Sequence, residues 1–354
     1  MQNQQPNTEK LPLNLRAIWL PVLLSLSVSV YLIASNFSFK TLEKIELSQQ
    51  LLVGLFFALI TVSLRDLAYM YRIKKVTGSK MSWWVSLQVI LLWEFGSAVT
   101  PGAVGGIALA LFILRKEGIS YGQTIATIML TVILDNLAFV VVFTLLFVIN
   151  GMAMFDVSSH CADLDGRFVL QGLRSLSKAA WIVYAAQIVI SVFLIIGLLA
   201  KPEKLKNVIH RLGKIRFLKR FETNLESLGN ELEITANHFK KESVGFWVKI
   251  SLVTIIAWIS RHALANALFL AFTDVNLNQF DIFSRQYVLW TFLLLPSTPG
   301  ASGLAELSFI ALNCEFIPGG LSAAVATVWR LFSYYNYILA GVFILPKWLK
   351  RVNN

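Results

Sequence analysis

The chain has 354 residues, of which 56% are hydrophobic and only 14% are charged. With a mean hydropathy of +0.66, this composition excludes an ordinary soluble domain and indicates a membrane protein with several spans. The net charge of +11 is concentrated in a few connecting segments. It therefore indicates topology and contact with anionic lipid, and we expect no nucleic-acid partner.

Apolar stretches follow one another along the chain, each close to or above the roughly 20 residues that a bilayer span needs. They lie near residues 15–35, 49–70, 83–114, 124–150, 180–200, 247–272, 286–314 and 320–346. The third and the seventh are interrupted by Pro and Gly, which break helices. Each of these two is either one kinked span or a hairpin of two half-helices.

Positive charge distinguishes these alternatives. Segments 72–80, 201–241 and 347–351 are rich in Lys and Arg and are predicted to be cytoplasmic. Segment 151–179 has balanced charge and is predicted to lie outside. These assignments agree only if the third and seventh stretches each enter and leave the membrane on one side. We therefore predict an all-α integral membrane protein with six transmembrane helices and two re-entrant helical hairpins.

The predicted organisation is an inverted-topology repeat, in which span, span, hairpin and span recur in the opposite orientation. Its parts are a cytoplasmic tail (1–14), repeat 1 (15–150, hairpin 83–114), an extracytoplasmic loop (151–179), repeat 2 (180–346, hairpin 286–314) and a cytoplasmic tail (347–354). The insertion 201–247 is predicted to form one or two amphipathic helices. These lie on the inner membrane face, where the basic residues of 201–241 contact anionic lipid, or pack on the protein itself.

A six-residue motif occurs once in each hairpin. Residues 100–105 read Thr-Pro-Gly-Ala-Val-Gly, residues 298–303 read Thr-Pro-Gly-Ala-Ser-Gly, and five of the six positions are identical. Broken helices at membrane depth are tolerated only where protein or a water-filled cavity covers the backbone, and paired breaks indicate a transporter-type binding site. The motif residues predicted to form that site are Pro101, Gly102, Gly105, Pro299, Gly300 and Gly303.

Ionisable residues lie well inside the apolar stretches, at a cost of roughly 2.5–3.5 kcal/mol each. They are Arg65, Asp66, Glu94, Asp135, Arg261, His262, Glu306 and Arg330. They either form internal ion pairs or line a polar cavity. We expect a cavity in which half-helix N-termini and Arg65, Arg261 and Arg330 hold an anion such as phosphate. Asp135 and Glu306 would act as gates or counter-ions, and Glu306 can cap its half-helix or pair with Arg330.

No pattern in the sequence indicates catalysis. The histidines have no metal-binding spacing, and no Lys-Ser or Lys-Thr follows the glycines of residues 102–106 as a phosphate-binding loop requires. Cys161 and Cys314 are far apart and predict no disulfide framework. We therefore expect no enzyme, no catalytic residue, no metal and no cofactor, with membrane lipids as partners. The oligomeric state is left open.

The motifs resemble those of a known family, the flippase-like transmembrane region of lysylphosphatidylglycerol synthases. The late family signature is similar to residues 296–306 (Pro-Ser-Thr-Pro-Gly-Ala-Ser-Gly-Leu-Ala-Glu), and its later Arg and Gly fall on Arg330 and Gly341. The early signature keeps Pro101 and Gly102 but has Gly106 at a position that is usually acidic. Asp135 stands at the family's Asp without the usual neighbouring Arg.

The resemblance implies transbilayer movement of a lipid, such as an anionic, aminoacylated or polyprenyl-linked one. It implies a stand-alone member without the soluble synthase domain, in a bacterial or archaeal cell membrane. The distribution of positive charge predicts that both termini are cytoplasmic. A secondary transporter of a small water-soluble anion and a membrane-embedded lipid-modifying transferase are the alternatives.

Overall fold

The computed structural model describes Ser27 and residues 47–100, 104–155, 166–215, 219–273, 277–294, 298, 300–317 and 321–353. The predicted tail 1–14 and all of the predicted span 15–35 except Ser27 lie outside these residues. So do three of the predicted binding residues, namely Pro101, Gly102 and Pro299.

The described residues form twelve α-helices and no strand. The helices are α1 (Gln49–Val76), α2 (Trp83–Val99), α3 (Val104–Lys116), α4 (Tyr121–Asn150), α5 (Gly166–Ile195), α6 (Pro202–Gly213), α7 (Glu222–Lys240), α8 (Val244–Phe272), α9 (Gln279–Leu293), α10 (Leu304–Asn313), α11 (Ser322–Arg330) and α12 (Asn336–Asn353). A π-helical turn, Leu331–Tyr335, joins α11 to α12.

Within the described part of the chain, five helical segments are long and apolar enough to cross a membrane. They are Gln49–Val76, Tyr121–Phe155, Ser177–Ala200, Val244–Phe272 and Ala324–Val352, and they match five of the predicted spans. Several begin at a serine whose hydroxyl accepts a hydrogen bond from the first helical turn, as Ser48 does for α1 and Ser243 for α8. Such caps fix where a helix starts. The protein is therefore an all-α, multi-pass membrane protein.

The two broken stretches each form a pair of short helices. The pairs are α2 with α3 and α9 with α10, and each pair packs together. With 10 residues, α10 is about 15 Å long, half of a bilayer core of about 30 Å. Lys80, before α2, donates to the Gln123 side chain, after α3, at 2.8 Å. Arg285, in the middle of α9, donates to the Leu312 carbonyl at the end of α10 at 2.7 Å. The residues that flank the first pair therefore lie close together, and the end of α10 lies beside the middle of α9.

The two breaks meet inside the bundle. The Gly300 amide donates to the Thr100 carbonyl at 3.5 Å, and the Tyr334 hydroxyl donates to the Ala98 carbonyl at 3.1 Å. Gly300 has φ +57°, and a Cβ there would lie 2.0 Å from the Tyr334 ring. Gly300 therefore has both a backbone conformation and a close contact that favour glycine.

Helices at corresponding positions of the two predicted repeats make corresponding contacts. α1 packs on α2 as α8 packs on α9, and α3 packs on α4 as α10 packs on α11. The second helices of the two halves, α1 and α8, pack directly on each other, with Gly54 against Ala271. Small residues at helix crossings allow such close approach within membranes.

The insertion 201–247 contains α6 and α7, which pack on each other. α7 also packs on α4, where the Gly122 amide donates to Glu231 at 2.8 Å. α6 exposes Val208 and Leu212 beside Lys204. One helix of the insertion thus packs on the protein, and the other keeps an apolar and basic exposed face.

Two sequence boundaries and one covalent assignment differ from expectation. α5 begins at Gly166, inside the predicted loop 151–179, and α12 continues to Asn353, through the predicted tail. Apolar length marks only the membrane-crossing part of a helix, whereas the helix itself continues into polar residues. Cys314 is disulfide-bonded, although the two distant cysteines predicted no disulfide framework.

The crossing of α12 over α2 depends on Gly341. A Cβ at Gly341 would lie 2.1 Å from Cγ of Phe95. We expect Gly341→Ala to lower the free energy of unfolding by about 1–3 kcal/mol, because the crossing becomes overpacked. Equilibrium unfolding in mixed detergent micelles measures this loss. Gly245→Ala is the control, because the nearest atom to its Cβ lies at 3.7 Å; equal effects of the two substitutions would contradict the prediction.

Candidate functional site

A cavity of about 440 Å³ lies where the two breaks meet α1, α4, α8 and the π-helical turn. We call it the central cavity. Its charged lining residues are Arg65, Arg72, Glu94, Asp135, Arg261 and Arg330. Its aromatic lining residues are Tyr69, Trp93, Trp258, Trp290, Trp329, Tyr334 and Tyr337. The site therefore combines charge with large aromatic surfaces inside an apolar bundle.

Each arginine of the central cavity forms an ion pair. The pairs are Arg65–Asp66 at 2.7 Å, Arg72–Asp135 at 2.6 Å, Arg261–Glu94 at 2.8 Å and Arg330–Glu306 at 2.7 Å. The formal charges of these eight residues cancel. Pairing reduces the cost of holding ionised groups in an apolar environment.

The Arg72–Asp135 pair connects three spans. Both terminal nitrogens of Arg72, on α1, donate to Asp135, on α4, in a bidentate arrangement. Arg72 also donates to Thr254 on α8, and the Trp258 indole donates to Asp135 at 2.9 Å. The Arg72 guanidinium lies 4.7 Å from the centre of the Tyr69 ring. The position of Arg72 is therefore fixed by hydrogen bonds to two other helices and by one aromatic ring.

The Arg330–Glu306 pair fixes the second break. One oxygen of Glu306 accepts from Arg330, and the other accepts from the Gly303 amide at 2.7 Å. Arg330 also donates to the Gly300 carbonyl at 2.8 Å and lies 4.0 Å from the centre of the Tyr334 ring. Glu306 therefore both caps α10 and pairs with Arg330. A carboxylate at this N-terminus already interacts with the positive end of the helix dipole.

The Arg65–Asp66 pair lies between α1 and α12. Arg65 donates to the adjacent Asp66 at 2.7 Å, and the Tyr337 hydroxyl donates to the same carboxylate at 3.1 Å. The Arg65 guanidinium lies 4.5 Å from the centre of the Tyr337 ring. The pair therefore links the two helices through one tyrosine.

The arginine of the Arg261–Glu94 pair is the most exposed of the four. The side chains of Arg65, Arg72 and Arg330 are 3–5% exposed, whereas that of Arg261 is 18% exposed. Arg261 donates one terminal nitrogen to Glu94 and to Tyr69, and its Nε has no hydrogen-bond partner among the described residues. This Nε is buried, so a molecule bound in the cavity would reach it only after a shift of the side chain.

Other polar atoms of the lining also have no partner within the described residues. They are the His262 Nε2, the Trp290 Nε1 and the Ser333 Oγ. The Trp290 ring centre lies 5.0 Å from the Arg261 guanidinium. Buried polar groups in proteins are usually satisfied, so this cluster indicates a site that a ligand or water completes.

The central cavity brings together some of the predicted binding residues and not others. Those lining it are Arg65, Asp135, Arg261, Gly300 and Arg330. Gly303 and Glu306 form the start of α10 beside it. Gly105 instead serves helix packing, because a Cβ there would lie 2.1 Å from the Thr100 hydroxyl. Similarly, a Cβ at Gly106 would lie 2.0 Å from the Ser97 hydroxyl, which excludes the larger acidic side chain.

Sequence reasoning missed Arg72 as a site residue. It was grouped with the cytoplasmic basic segment 72–80, yet it is buried and pairs with Asp135. The signal was present, because Arg65, Tyr69 and Arg72 have the i, i+4, i+7 spacing of one helix face. The arginine that is absent beside Asp135 in the sequence is thus supplied by another helix.

The Arg330–Glu306 pair should stabilise the fold. We expect Arg330→Ala and Glu306→Ala each to lower the free energy of unfolding by about 3–5 kcal/mol, because each leaves a buried charge unpaired. The double variant should lose less than the sum of the two. The same unfolding titration measures all three proteins.

The half-exposed pair Lys206–Glu233, at 3.0 Å, is the matched control and should contribute about 1 kcal/mol or less. If alanine at Arg330 costs no more than alanine at Lys206, a stabilising role for the buried pair is excluded.

Comparison with known proteins agrees with this architecture. A UPF0104 membrane protein of Archaeoglobus fulgidus is 22% identical over 275 residues, which cover 75% of this chain and 76% of that protein. The model of the lysylphosphatidylglycerol synthase TM region matches residues 18–341, from the predicted first span to α12. The chain therefore belongs to the family of the lysylphosphatidylglycerol synthase TM region.

Proposed function

We propose that this protein is a lipid flippase, which moves a phospholipid-type lipid across the bilayer with its headgroup in the central cavity. The observation that carries the proposal is a charged, aromatic-lined cavity of about 440 Å³ at the meeting point of two broken helices. Charged groups inside a membrane bundle mark substrate pathways by default, and paired broken helices mark transporter sites.

The position of the cavity favours a lipid over a freely soluble substrate. Gln187 and Ile190 of α5 belong to its wall. Only 11% of the residues in the apolar window of Ser177–Ala200 are buried. Ile190 is 46% exposed. A headgroup could thus enter from the side while its acyl chains remain in the hydrocarbon.

The proposed topology has six spans and two re-entrant hairpins in an inverted repeat, with both termini in the cytoplasm of a bacterial or archaeal cell. The contact between Lys80 and Gln123 supports the first hairpin, and the contact between Arg285 and Leu312 supports the second. The disulfide of Cys314 supports an extracytoplasmic position for the end of α10, because disulfides persist in oxidising compartments.

The arginines have different roles in this proposal. Arg261 contacts the substrate, because its side chain is the most exposed of the four. Its buried Nε also has no hydrogen-bond partner among the described residues. Arg65, Arg72 and Arg330 position the walls, since each is closed by a carboxylate and an aromatic ring. The protein acts as a transporter of membrane lipid rather than as an enzyme.

Reconstitution into vesicles tests the proposal. Phospholipids labelled on an acyl chain should exchange between leaflets at least tenfold faster with the protein than in protein-free vesicles. The physical reason is that the cavity lowers the cost of taking a polar headgroup through the hydrocarbon. Loss of label in the outer leaflet after adding an impermeant quencher measures the rate.

A cysteine at Gln187 links the movement to the cavity. Its modification with a bulky thiol reagent should slow lipid exchange severalfold, whereas the same reagent on Val244→Cys, at an exposed site at the start of α8, should not. Transport of a small water-soluble anion with no lipid exchange would instead support the secondary transporter.

Labelling with an impermeant thiol reagent tests the topology. Cysteines at the exposed positions Lys80 and Lys116, which flank the first hairpin, should both react from the cytoplasmic side. Ala153→Cys, in the turn after α4, should react from the opposite side. Reaction of Lys80→Cys and Lys116→Cys from opposite faces would show that α2 and α3 form a full span.

A further inference from the structure

We propose that the central cavity selects a zwitterionic headgroup, which carries one phosphate and one ammonium group. In this proposal Arg261 binds the phosphate and Glu94 binds the ammonium. The inference rests on the proposed flippase function and narrows it to one chemical class. It follows from the charge balance of the site, from its unpartnered donors and from the carboxylates that the cavity exposes.

The charge balance argues against a headgroup with a large net charge. Four arginines and two carboxylates line the central cavity. Asp66 and Glu306 pair with Arg65 and Arg330 beside it, so the eight residues together are formally neutral. A net charge taken into an apolar bundle without a counter-charge is costly. A headgroup whose own charges cancel avoids this cost, and it can still make a charge-assisted bond at each end.

The donors for a phosphate lie on one wall. Arg261, on α8, has its Nε unpartnered, and Trp290, on α9, has its indole N–H unpartnered within the described residues. The guanidinium lies 5.0 Å from the centre of the Trp290 ring. Both groups can only donate hydrogen bonds, so they match phosphate oxygens. Both nitrogens are buried, so a headgroup makes these bonds only after the two side chains shift toward it.

The acceptors for an ammonium are the exposed carboxylates. Of the four paired acids, Asp135 and Glu94 are the most exposed, with 25% and 19% of their side chains accessible. They are also the two that line the central cavity. The rings of Tyr69, Trp93 and Trp258 line the same space. An ammonium group binds favourably between a carboxylate and aromatic faces.

Of the four ion pairs, Arg261–Glu94 is the one in which both the cation and the carboxylate are accessible from the cavity. In the other three pairs the arginine is nearly closed, so only the carboxylate is accessible. In this pair the two side chains are 18% and 19% exposed. An ammonium near Glu94 and a phosphate near Arg261 would bring complementary charges beside each partner of the pair.

The test compares two lipids that differ only in the ammonium group. One is phosphatidylethanolamine with an acyl-chain label, and the other is its N-acetylated form, which keeps the phosphate but is anionic. The wild type should move phosphatidylethanolamine roughly tenfold faster, the effect of about one charge-assisted hydrogen bond. Phosphatidylglycerol should behave like the N-acetylated lipid, and lysyl-phosphatidylglycerol, with its net positive charge, should also be slower than phosphatidylethanolamine.

Two conservative variants separate the two charges. Glu94→Gln can still accept from Arg261 but leaves one positive charge without a counter-charge. It should abolish or reverse the preference, because it slows phosphatidylethanolamine and does not slow the anionic N-acetylated lipid. Trp290→Phe keeps a ring but loses the N–H donor, and it should slow both lipids by the same factor. Unfolding titrations of both variants establish that they remain folded.

Binding is measured separately from movement. Tryptophan fluorescence of the wild type in detergent, titrated with glycerophosphoethanolamine and with glycerophosphoglycerol, should give at least tenfold tighter binding of the former. If phosphatidylglycerol or lysyl-phosphatidylglycerol moves as fast as phosphatidylethanolamine, the zwitterion inference is overturned while the flippase function stands. If no lipid moves but the selective binding is present, the flippase function fails and the selectivity of the cavity stands. If neither headgroup is preferred in binding, the inference is wrong.

Discussion

The structure depends on one electrostatic requirement, which is that each arginine inside the bundle has a carboxylate within hydrogen-bond distance. Asp135 is on a different helix from Arg72, as Glu94 is from Arg261 and Glu306 is from Arg330. Because an unpaired ion in hydrocarbon is so unfavourable, these contacts restrict which helices can be neighbours. Apolar packing in a membrane is weakly specific, since lipid is as apolar as leucine. Charge pairing therefore supplies register that hydrophobic contact alone does not.

The same pairs divide the bundle into a rigid part and an accessible part. Three arginines are closed by a carboxylate and by an aromatic ring within 4.0–4.7 Å of the guanidinium. Arg261 lies farther from its aromatic neighbours, and its buried Nε has no hydrogen-bond partner in the part of the chain that the structure describes. Functional sites need binding groups that are positioned by others whose conformations are fixed. In the proposed mechanism the three closed pairs position the wall, and the more exposed Arg261–Glu94 pair contacts the substrate.

Much of the architecture could be predicted because its signals are periodic or duplicated. The duplicated Thr-Pro-Gly-Ala motif located both breaks, and apolar length located the five spans that the structure describes. Glu306 was expected to cap its helix or to pair with Arg330, and it does both. The partner of Asp135 could not be predicted, because Arg72 is 63 positions away in sequence and stands beside cytoplasmic lysines. The sequence also could not predict which arginine is the most exposed, because exposure depends on how closely aromatic rings approach each guanidinium.

Glu306 has a consequence for how an anion could bind at the second break. Its carboxylate occupies the position at the start of α10 that a phosphate would otherwise take. Because it is attached to the same helix, it acts as an intramolecular competitor, and such groups have effective concentrations of about millimolar or higher. A free anion must outcompete this tethered one, whereas the Nε of Arg261 has no hydrogen-bond partner among the described residues although its terminal nitrogen is paired with Glu94. The second break is thereby protected from occupation by small water-soluble anions.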